Sequence, residues 1–324
     1  MAAFITGARK FCCAAVLLFG VGAMAAQPFL EFRGLANASA GVRVGTDRFL
    51  AGCDEQNDLL LYRASAGGEP LASIAVSPWL GLTTRNGEAD FEGAARIDDV
   101  TFWIGSHARS RSGEKRPDRQ RLVALRLRDE DGTPRLELVG KPVTTLLAQM
   151  AAAPSLAQFN LAAAAKLEPE KGGGLNIEGL AAGPDRSLLI GFRNPVPEGR
   201  ALLVPLVNPF AVIEGQPAQL GEPRLLDFGG RGIRDLVWTG REYFVIGGSS
   251  GDGGKSHVYR WDGHSAAAER LKVPDLQSMN PEALILFGTP EKPRLLVLSD
   301  DGGRPWNETS DMRLRHFRAL WVNP

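Results

Sequence analysis

GLNIEGLAAGPDRSLLIGFRNP, residues 174–195, is one copy of a unit that recurs along this chain. Read from Glu178, the copy is EGLAAGPDRSLLIGFR, and it aligns without a gap with EGAARIDDVTFWIGSH, which starts at Glu92. In both copies a second glycine falls thirteen residues after the glutamate, at Gly191 and Gly105. Further copies start at Ser39 (SAGVRVGTDRFLAGCD), at Arg234 (RDLVWTGREYFVIGGS) and, with a longer turn, at Glu282.

Each copy reads as two short apolar strands joined by a polar turn, which is the pattern of a β-hairpin. A third strand-like run follows every hairpin, and a fourth follows in all units except the last. The N-terminal run Pro28–Arg33 is left over and can supply the missing strand. Five four-stranded units predict an all-β fold, a five-bladed β-propeller closed by strands from both ends of the chain.

One interval between copies is too long for this scheme. The copies at Glu92 and Glu178 lie 86 residues apart, whereas the other spacings run from 48 to 56 residues. Residues 143–174 are rich in Ala and Leu and are interrupted by Pro154, which predicts a short helical insertion between blades two and three. A sixth blade in this stretch is the alternative. We expect residues 26–324 to form one propeller domain.

Charge and cysteine content exclude several classes of protein. The chain has 37 basic and 37 acidic side chains, and this balance argues against nucleic acid or an anionic membrane as the main partner. Cys53 is the lone cysteine outside the N-terminal segment, so we expect a small buried residue there and no internal disulfide. We expect a monomer.

The N-terminus has the pattern of a secretory signal peptide over residues 1–25. Arg9 and Lys10 precede the apolar run Phe11–Ala23, and Ala23-Met24-Ala25 fits a cleavage site for small residues. The apolar run is short for a membrane span, although an uncleaved anchor is the alternative. The sequence therefore predicts a periplasmic or secreted protein with no membrane span after cleavage.

The repeat also predicts which face of the propeller carries function. The first strand of each blade lines the central channel, so the residue that starts it and the residue fifteen positions later should lie on one face. The inner set comprises Ser39, Glu92, Glu178, Arg234 and Glu282. The outer set comprises Asp54, His107, Arg193, Ser249 and either Asp300 or Asp301. We expect a funnel with an acidic inner ring and a mixed outer ring.

The acidic ring has two interpretations. Carboxylates crowded around a narrow channel repel one another unless a cation lies between them, and oxygen ligands suit Ca²⁺. This interpretation makes Glu92, Glu178, Glu282 and Asp300 metal ligands. In the other interpretation the glutamates are structural and pair with backbone amides or with a nearby arginine, as Glu178 could with Arg193.

Basic residues at the same face are candidates for holding an anion. His107 and Arg109 belong to the cationic loop SHARSRSGEKRPDR, and Arg193 and Asn194 end a strand directly before a proline. A solvated basic loop is the alternative for the first pair. The sequence has no GxSxG, HExxH or cysteine-based zinc motif, and SSGDGGKS at residues 249–256 lacks the first glycine and the helix of a phosphate loop.

The blocks DFEGAA, WIGSHARS, PDRQRL, GLNIEGLA and LLIGFRNP resemble the bacterial family catalogued as domain of unknown function 3616. That resemblance implies a propeller without a settled activity. A more distant similarity to esterase-like phytase propellers rests on the N-x-E-G-[LI]-A block. It implies calcium ligands at Glu92, Glu178 and Glu282, with His107, Arg109 and Arg193 on the phosphate side.

Together these features favour an exported propeller that binds a small anionic or phosphorylated ligand in its funnel, alone or through a divalent cation such as Ca²⁺. Hydrolysis of that ligand is left open, because a fold does not dictate a reaction. The alternative is a non-catalytic scaffold that binds a protein or polysaccharide of the cell envelope.

Overall fold

The structure, a computed structural model, describes residues 29–85, 87–130, 133–171, 173–251 and 253–324. The predicted signal peptide, residues 1–25, lies outside these residues. Within them, every β-sheet has four antiparallel strands, and there are five such sheets. The five-bladed propeller is therefore confirmed, and no sixth sheet occurs in the described part of the chain.

The first two blades follow each other directly in the chain. Blade one contains β2 (Ala40–Val44), β3 (Arg48–Gly52), β4 (Asp58–Arg63) and β5 (Ala72–Ala75). Blade two contains β6 (Phe91–Ile97), β7 (Val100–Gly105), β8 (Leu122–Glu130) and β9 (Thr133–Val143). In each, the strands are ordered outward from the channel as they occur in the sequence.

The remaining blades repeat this order. Blade three contains β10 (Asn176–Ala182), β11 (Leu188–Asn194), β12 (Ala201–Leu206) and β13 (Arg224–Leu226). Blade four contains β14 (Gly232–Trp238), β15 (Tyr243–Gly248), β16 (His257–Trp261) and β17 (Glu269–Arg270). Blade five contains β18 (Pro281–Thr289), β19 (Lys292–Ser299), β20 (His316–Val322) and, as its outer strand, β1 (Leu30–Arg33).

The N-terminal strand closes the ring as predicted. Leu30 to Arg33 of β1 pair with Ala319 to His316 of β20 in an antiparallel register. Phe32 is fully buried and stacks on Phe317 at 5.2 Å between ring centroids, and it meets Phe49 of blade one edge-on at the same distance. One strand thus joins both ends of the chain and packs against the neighbouring blade.

The predicted insertion between blades two and three is helical. It holds α1 (Leu146–Ala152) and α2 (Leu161–Ala164), with a 3-10 segment at Pro154–Phe159 between them. A third helix, α3 (Pro209–Ile213), follows β12 and was not predicted. Among the described residues, no helix has the length and apolar character needed to cross a bilayer.

The five inner strands β2, β6, β10, β14 and β18 contact one another in cyclic order and enclose the channel. Glycines permit this close approach. A Cβ added at Gly179 would lie 2.7 Å from Ile233 Cγ2 of the next blade, and one added at Gly93 would lie 2.9 Å from the Leu180 amide nitrogen. The glycines after Glu92 and Glu178 are therefore a packing requirement between blades.

Candidate functional site

Four of the five inner-ring residues sit at a β-bulge. The pairing of β6 with β7 skips Glu92, and the same shift occurs at Glu178, Arg234 and Glu282. A bulge leaves its extra residue outside the ladder and re-aims the side chain. Because the bulge recurs at the start of the inner strand of these four blades, the side chains converge at one end of the channel. Ser39 precedes β2, whose register has no shift.

Arg234 lies among the ring carboxylates. Its Nε is 2.9 Å from Glu178 Oε2, and its NH2 group donates to Glu282 Oε1. Burial alone would lower the pKa of Arg234, but the carboxylates of Glu178 and then Glu282 raise it above its usual value. The guanidinium is therefore charged, and it neutralises glutamates from the two adjacent blades.

Glu178 has further partners. Its Oε1 accepts from Arg193 NH1 at 2.9 Å and from Asn176 Nδ2 at 2.8 Å. The Arg193–Glu178 pair is the one that the structural interpretation of the sequence named. Glu178 is thus held by two arginines and an amide, so its negative charge is compensated, although its Oε2 has the ion pair with Arg234 and no hydrogen bond.

Glu92 differs from the other two ring glutamates. It is 8% exposed and forms no ion pair among the described residues, whereas Glu178 and Glu282 both contact Arg234. A buried Oε2 without a hydrogen-bond partner is common to all three glutamates. Burial, followed by the negative charges of Glu178 and Asp90, raises the pKa of Glu92 well above its usual value. Glu92 is therefore a ring glutamate without a positively charged partner in the described structure. The repeat does not distinguish it from Glu178 and Glu282, because all three occupy the same position.

Two acids beside Glu92 also have pKa values above the usual range. Asp90 is 2% exposed, and although its Oδ1 lies 3.0 Å from Arg119 NH1, its Oδ2 has no partner. Burial raises the pKa of Asp90 to about 7. Burial likewise raises the pKa of Asp54 to about 6, against a hydrogen bond from Asn37 that lowers it.

The carboxylates form two compact groups that meet at Glu92. One oxygen from each of Asp54, Asp90 and Glu92 lies within 4.8 Å of the others, and the same holds for Glu92, Glu178 and Glu282. Arg234 occupies the second group, since it contacts both Glu178 and Glu282. Among the described residues no cation bridges members of the first group, in which Asp90 alone forms an ion pair, with Arg119. Its oxygens have the spacing of ligands around one metal ion.

Asp90 also belongs to a polar column that sequence reasoning missed. The residue two positions before the inner-ring residue is polar in four of the five units. The members of this column are Asn37, Asp90, Asn176 and Asn280, and Gly232 takes the place in blade four. All four polar members line the funnel. The column is visible when the repeats are aligned, but the site prediction from the sequence used only the glutamates.

Most members of the two predicted rings, with the exception of Ser39 and His107, line one cavity of about 1020 Å³. Among the described residues, nine acidic side chains and six arginines line it. Arg109, Arg193 and Asp300 are among them, as expected from the sequence. Asp300 accepts from Asn280 Nδ2 at 3.0 Å and from the Gly302 amide at 2.8 Å, while Arg109 Nε donates to the Ala165 carbonyl at 3.1 Å.

His107 and Asn194 do not line this cavity, which differs from the expectation. His107 has a positive φ of 57°, and its Nδ1 lies 2.8 Å from the Gly105 carbonyl oxygen. Burial lowers the pKa of His107 to about 4, so the ring is neutral. The backbone turn directs the imidazole into the protein. The alternation of residues along a strand does not predict such a turn.

Asn194 connects two loops that border the funnel. Its Nδ2 donates to the Pro169 carbonyl at 2.7 Å and to the Ser250 carbonyl at 2.5 Å. The neighbouring Arg193 donates to the carbonyls of Ser249 at 3.0 Å and Gly251 at 3.2 Å. The pair at the end of β11 therefore fixes the wall of the funnel between the insertion and blade four.

Comparison with known proteins gives a family and several weak structural likenesses. The PQQ-bound aldose sugar dehydrogenase of Streptomyces coelicolor matches with 13% identity and a TM-score of 0.42, over 90% of this chain and 96% of that one. An engineered GH43 glycoside hydrolase matches with 10% identity and a TM-score of 0.48, over 92% of this chain and 52% of that one. A glucose dehydrogenase matches with 11% identity and a TM-score of 0.45, over 92% and 100%.

At these identities and TM-scores the likenesses transfer neither a substrate nor a reaction to this chain. Comparison with curated proteins gave no match. The family comparison covers residues 37–168 and 135–303, which together span most of the chain. The chain therefore belongs to the family described as "Protein of unknown function (DUF3616)".

Proposed function

We propose that the funnel binds a divalent cation, with Ca²⁺ the best fit, through Asp54, Asp90 and Glu92, and that this cation helps to hold a small phosphorylated or carboxylated ligand. The observation that carries this proposal is the pair of unpartnered oxygens, Asp90 Oδ2 and Glu92 Oε2, both buried in the funnel wall.

Buried carboxylate oxygens without partners are costly, and proteins keep them where a proton, a cation or a ligand completes the set. Asn37 Oδ1 is a further buried oxygen without a partner, and Asn37 already contacts Asp54. Three carboxylates and one amide oxygen make an all-oxygen ligand set, which suits Ca²⁺ better than the transition metals that prefer nitrogen or sulfur.

This proposal changes the ligand set expected from the sequence. Glu92 stays, but Glu178 and Glu282 have their charge met by Arg234 and are assigned a structural role. Asp300 has its oxygens held by Asn280 and by the Gly302 amide. The structural and the metal interpretations of the ring thus apply to different members of it.

The anion would be held on the rim side of the cation. Arg119 contacts Asp90, while Arg109 and Arg315 line the same cavity. Guanidinium groups bind phosphate and carboxylate oxygens in a planar, two-point geometry. A ligand that bridges the cation and these arginines would be small and negatively charged, in agreement with the cavity of about 1020 Å³.

Isothermal titration of the purified protein with CaCl₂ and MgCl₂ in chelator-treated buffer at neutral pH tests the cation site. We expect one Ca²⁺ per chain, with binding lost in Asp90→Asn and in Glu92→Gln. Asp99→Asn, at an exposed position of blade two, is the matched control and should bind as the parent does. Absence of any heat or melting-temperature shift with either metal would overturn the cation site.

Thermal melts with a panel of phosphorylated and carboxylated small molecules, with and without Ca²⁺, then test the anion. We expect shifts that require Ca²⁺ and that are lost in Arg119→Gln. Shifts that are equal in chelator and in Ca²⁺ would leave an anion site without the cation and would contradict the bridging arrangement.

A further inference from the structure

A second cationic site lies on blade four, outside the funnel. A groove of about 490 Å³ is lined by His257, Arg270 and Lys272, together with the apolar residues Val258, Leu271 and Leu276. It runs along the outer side of β16, where the outer strand β17 is only two residues long. The short outer strand leaves the first part of β16 facing the groove.

Basic side chains from three separate segments line this groove or lie close enough to His257 to lower its pKa. Arg231 precedes β14, Lys255 and His257 lie at the start of β16, and Arg270 and Lys272 end and follow β17. Arg231 is held in place because its Nε donates to the Lys255 carbonyl at 3.1 Å and its NH1 to the Phe228 carbonyl at 3.0 Å. Convergence of three segments makes this a feature of the tertiary fold.

Among the side chains that the structure describes, which do not include those of residues 252, 274 and 275, no carboxylate forms an ion pair with any of these five basic groups. This stands out in a chain whose 37 basic and 37 acidic side chains balance. His257 is only 8% exposed. Burial, followed by the charges of Arg270, Arg231 and Lys255, lowers the pKa of His257.

We propose that this groove binds a phosphoryl group carried by a small soluble molecule. A doubly charged oxyanion offers acceptors to several cationic donors at once, and it would relieve the repulsion among them. The apolar floor formed by Val258 and Leu276 accommodates the organic part of a phosphate ester. This site is independent of the funnel and requires no metal ion.

His257 reports on occupancy directly, since a bound anion stabilises the imidazolium. The chain has four histidines, so their ring Cε1–H signals can be resolved and assigned by NMR. We would titrate the purified protein with pH in chloride and in inorganic phosphate at matched ionic strength. Phosphate should raise the pKa of His257 by about half a unit or more, while His264 and His316 stay unchanged.

The double variant Arg270→Gln/Lys272→Gln, at two exposed positions, should abolish the phosphate effect on His257. Lys292→Gln, exposed at the start of β19, is the matched control and should retain it. An unchanged His257 pKa in phosphate, or an equal shift at all exposed histidines, would overturn the proposal. So would a response to vesicles containing phosphatidic acid without a response to free phosphate. Glu92→Gln should leave the effect intact, which separates this site from the funnel.

Discussion

Arg234 Nε, on the inner strand of blade four, lies 2.9 Å from Glu178 Oε2 on the inner strand of blade three. The same guanidinium donates to Glu282 of blade five. One residue of the repeat thus acts as the counter-ion for the residues at the equivalent position on either side. The consequence for the funnel is an asymmetric ring in which Glu92 alone among the three glutamates is left without a cation.

Replacing Arg234 by Gln should destabilise the protein strongly, because it leaves two buried carboxylates without their shared cation. We expect a loss of about 3–5 kcal/mol in the free energy of unfolding at pH 7.5, measured by urea denaturation. Arg313→Gln, whose arginine is exposed, should stay within about 0.5 kcal/mol of the parent. Equal effects of the two substitutions would contradict the role of Arg234.

Glu92→Gln should have the opposite sign in the absence of metal. It removes a buried charge that has no partner, so we expect the free energy of unfolding in chelator at pH 8 to rise by about 1–3 kcal/mol. Glu178→Gln should instead lower it, because Arg193 and Arg234 lose a shared acceptor. A loss of stability in Glu92→Gln as large as that in Glu178→Gln would show that Glu92 has a structural partner.

The raised pKa of Asp90 predicts how stability depends on pH. Its value is about 7 in the folded protein against 3.8 for the ordinary group, so the folded state binds the proton more tightly. The contribution of Asp90 is therefore fully present below pH 3.8 and is lost as the pH rises through about 7.

Urea denaturation in chelator between pH 4 and pH 8 checks this sign. The free energy of unfolding of Asp90→Asn should rise relative to that of the parent as the pH increases. Saturating Ca²⁺ should remove most of that difference for the parent, because the cation takes the place of the proton. A difference that is independent of pH would mean that Asp90 titrates as an ordinary carboxylate.

Asn194→Ala should loosen the funnel wall and leave the blades intact. The substitution removes the hydrogen bonds to the carbonyls of Pro169 and Ser250, at a cost of about 1–3 kcal/mol. Hydrogen exchange should become faster in the loops around these two residues and stay unchanged in β12. Asn208→Ala, which loses a bond to Pro217 on another loop, is the control.

Phe32→Ala tests the closure of the ring. The side chain is fully buried between Phe317 and Phe49, so we expect a loss of about 3–5 kcal/mol in stability. Leu71→Ala, at a position that is 49% exposed, should change stability by less than about 0.5 kcal/mol. A mild effect of Phe32→Ala would indicate that the N-terminal strand contributes little to holding the last blade.

Much of the fold was predictable because its signals are local. A strand alternates its faces every second residue, and a turn has its own residue types, so the hairpins and the count of blades follow from one repeat set against another. The leftover run at Pro28–Arg33 predicted the closing strand for the same reason. The column of Glu92, Glu178, Arg234 and Glu282 also followed, because repeats place equivalent residues at equivalent points of the channel.

The sequence by itself thus determined the five blades, the strand that closes them and the residues that converge on one mouth of the channel. Only the tertiary structure decided which of those residues neutralise one another. Arg234 reaches Glu178 and Glu282, and Arg119 reaches Asp90, through distances between blades that no single repeat encodes. The turn at His107 directs its ring away from the cavity. Pairing of charges depends on side-chain direction across blades, and that is set when the ring closes.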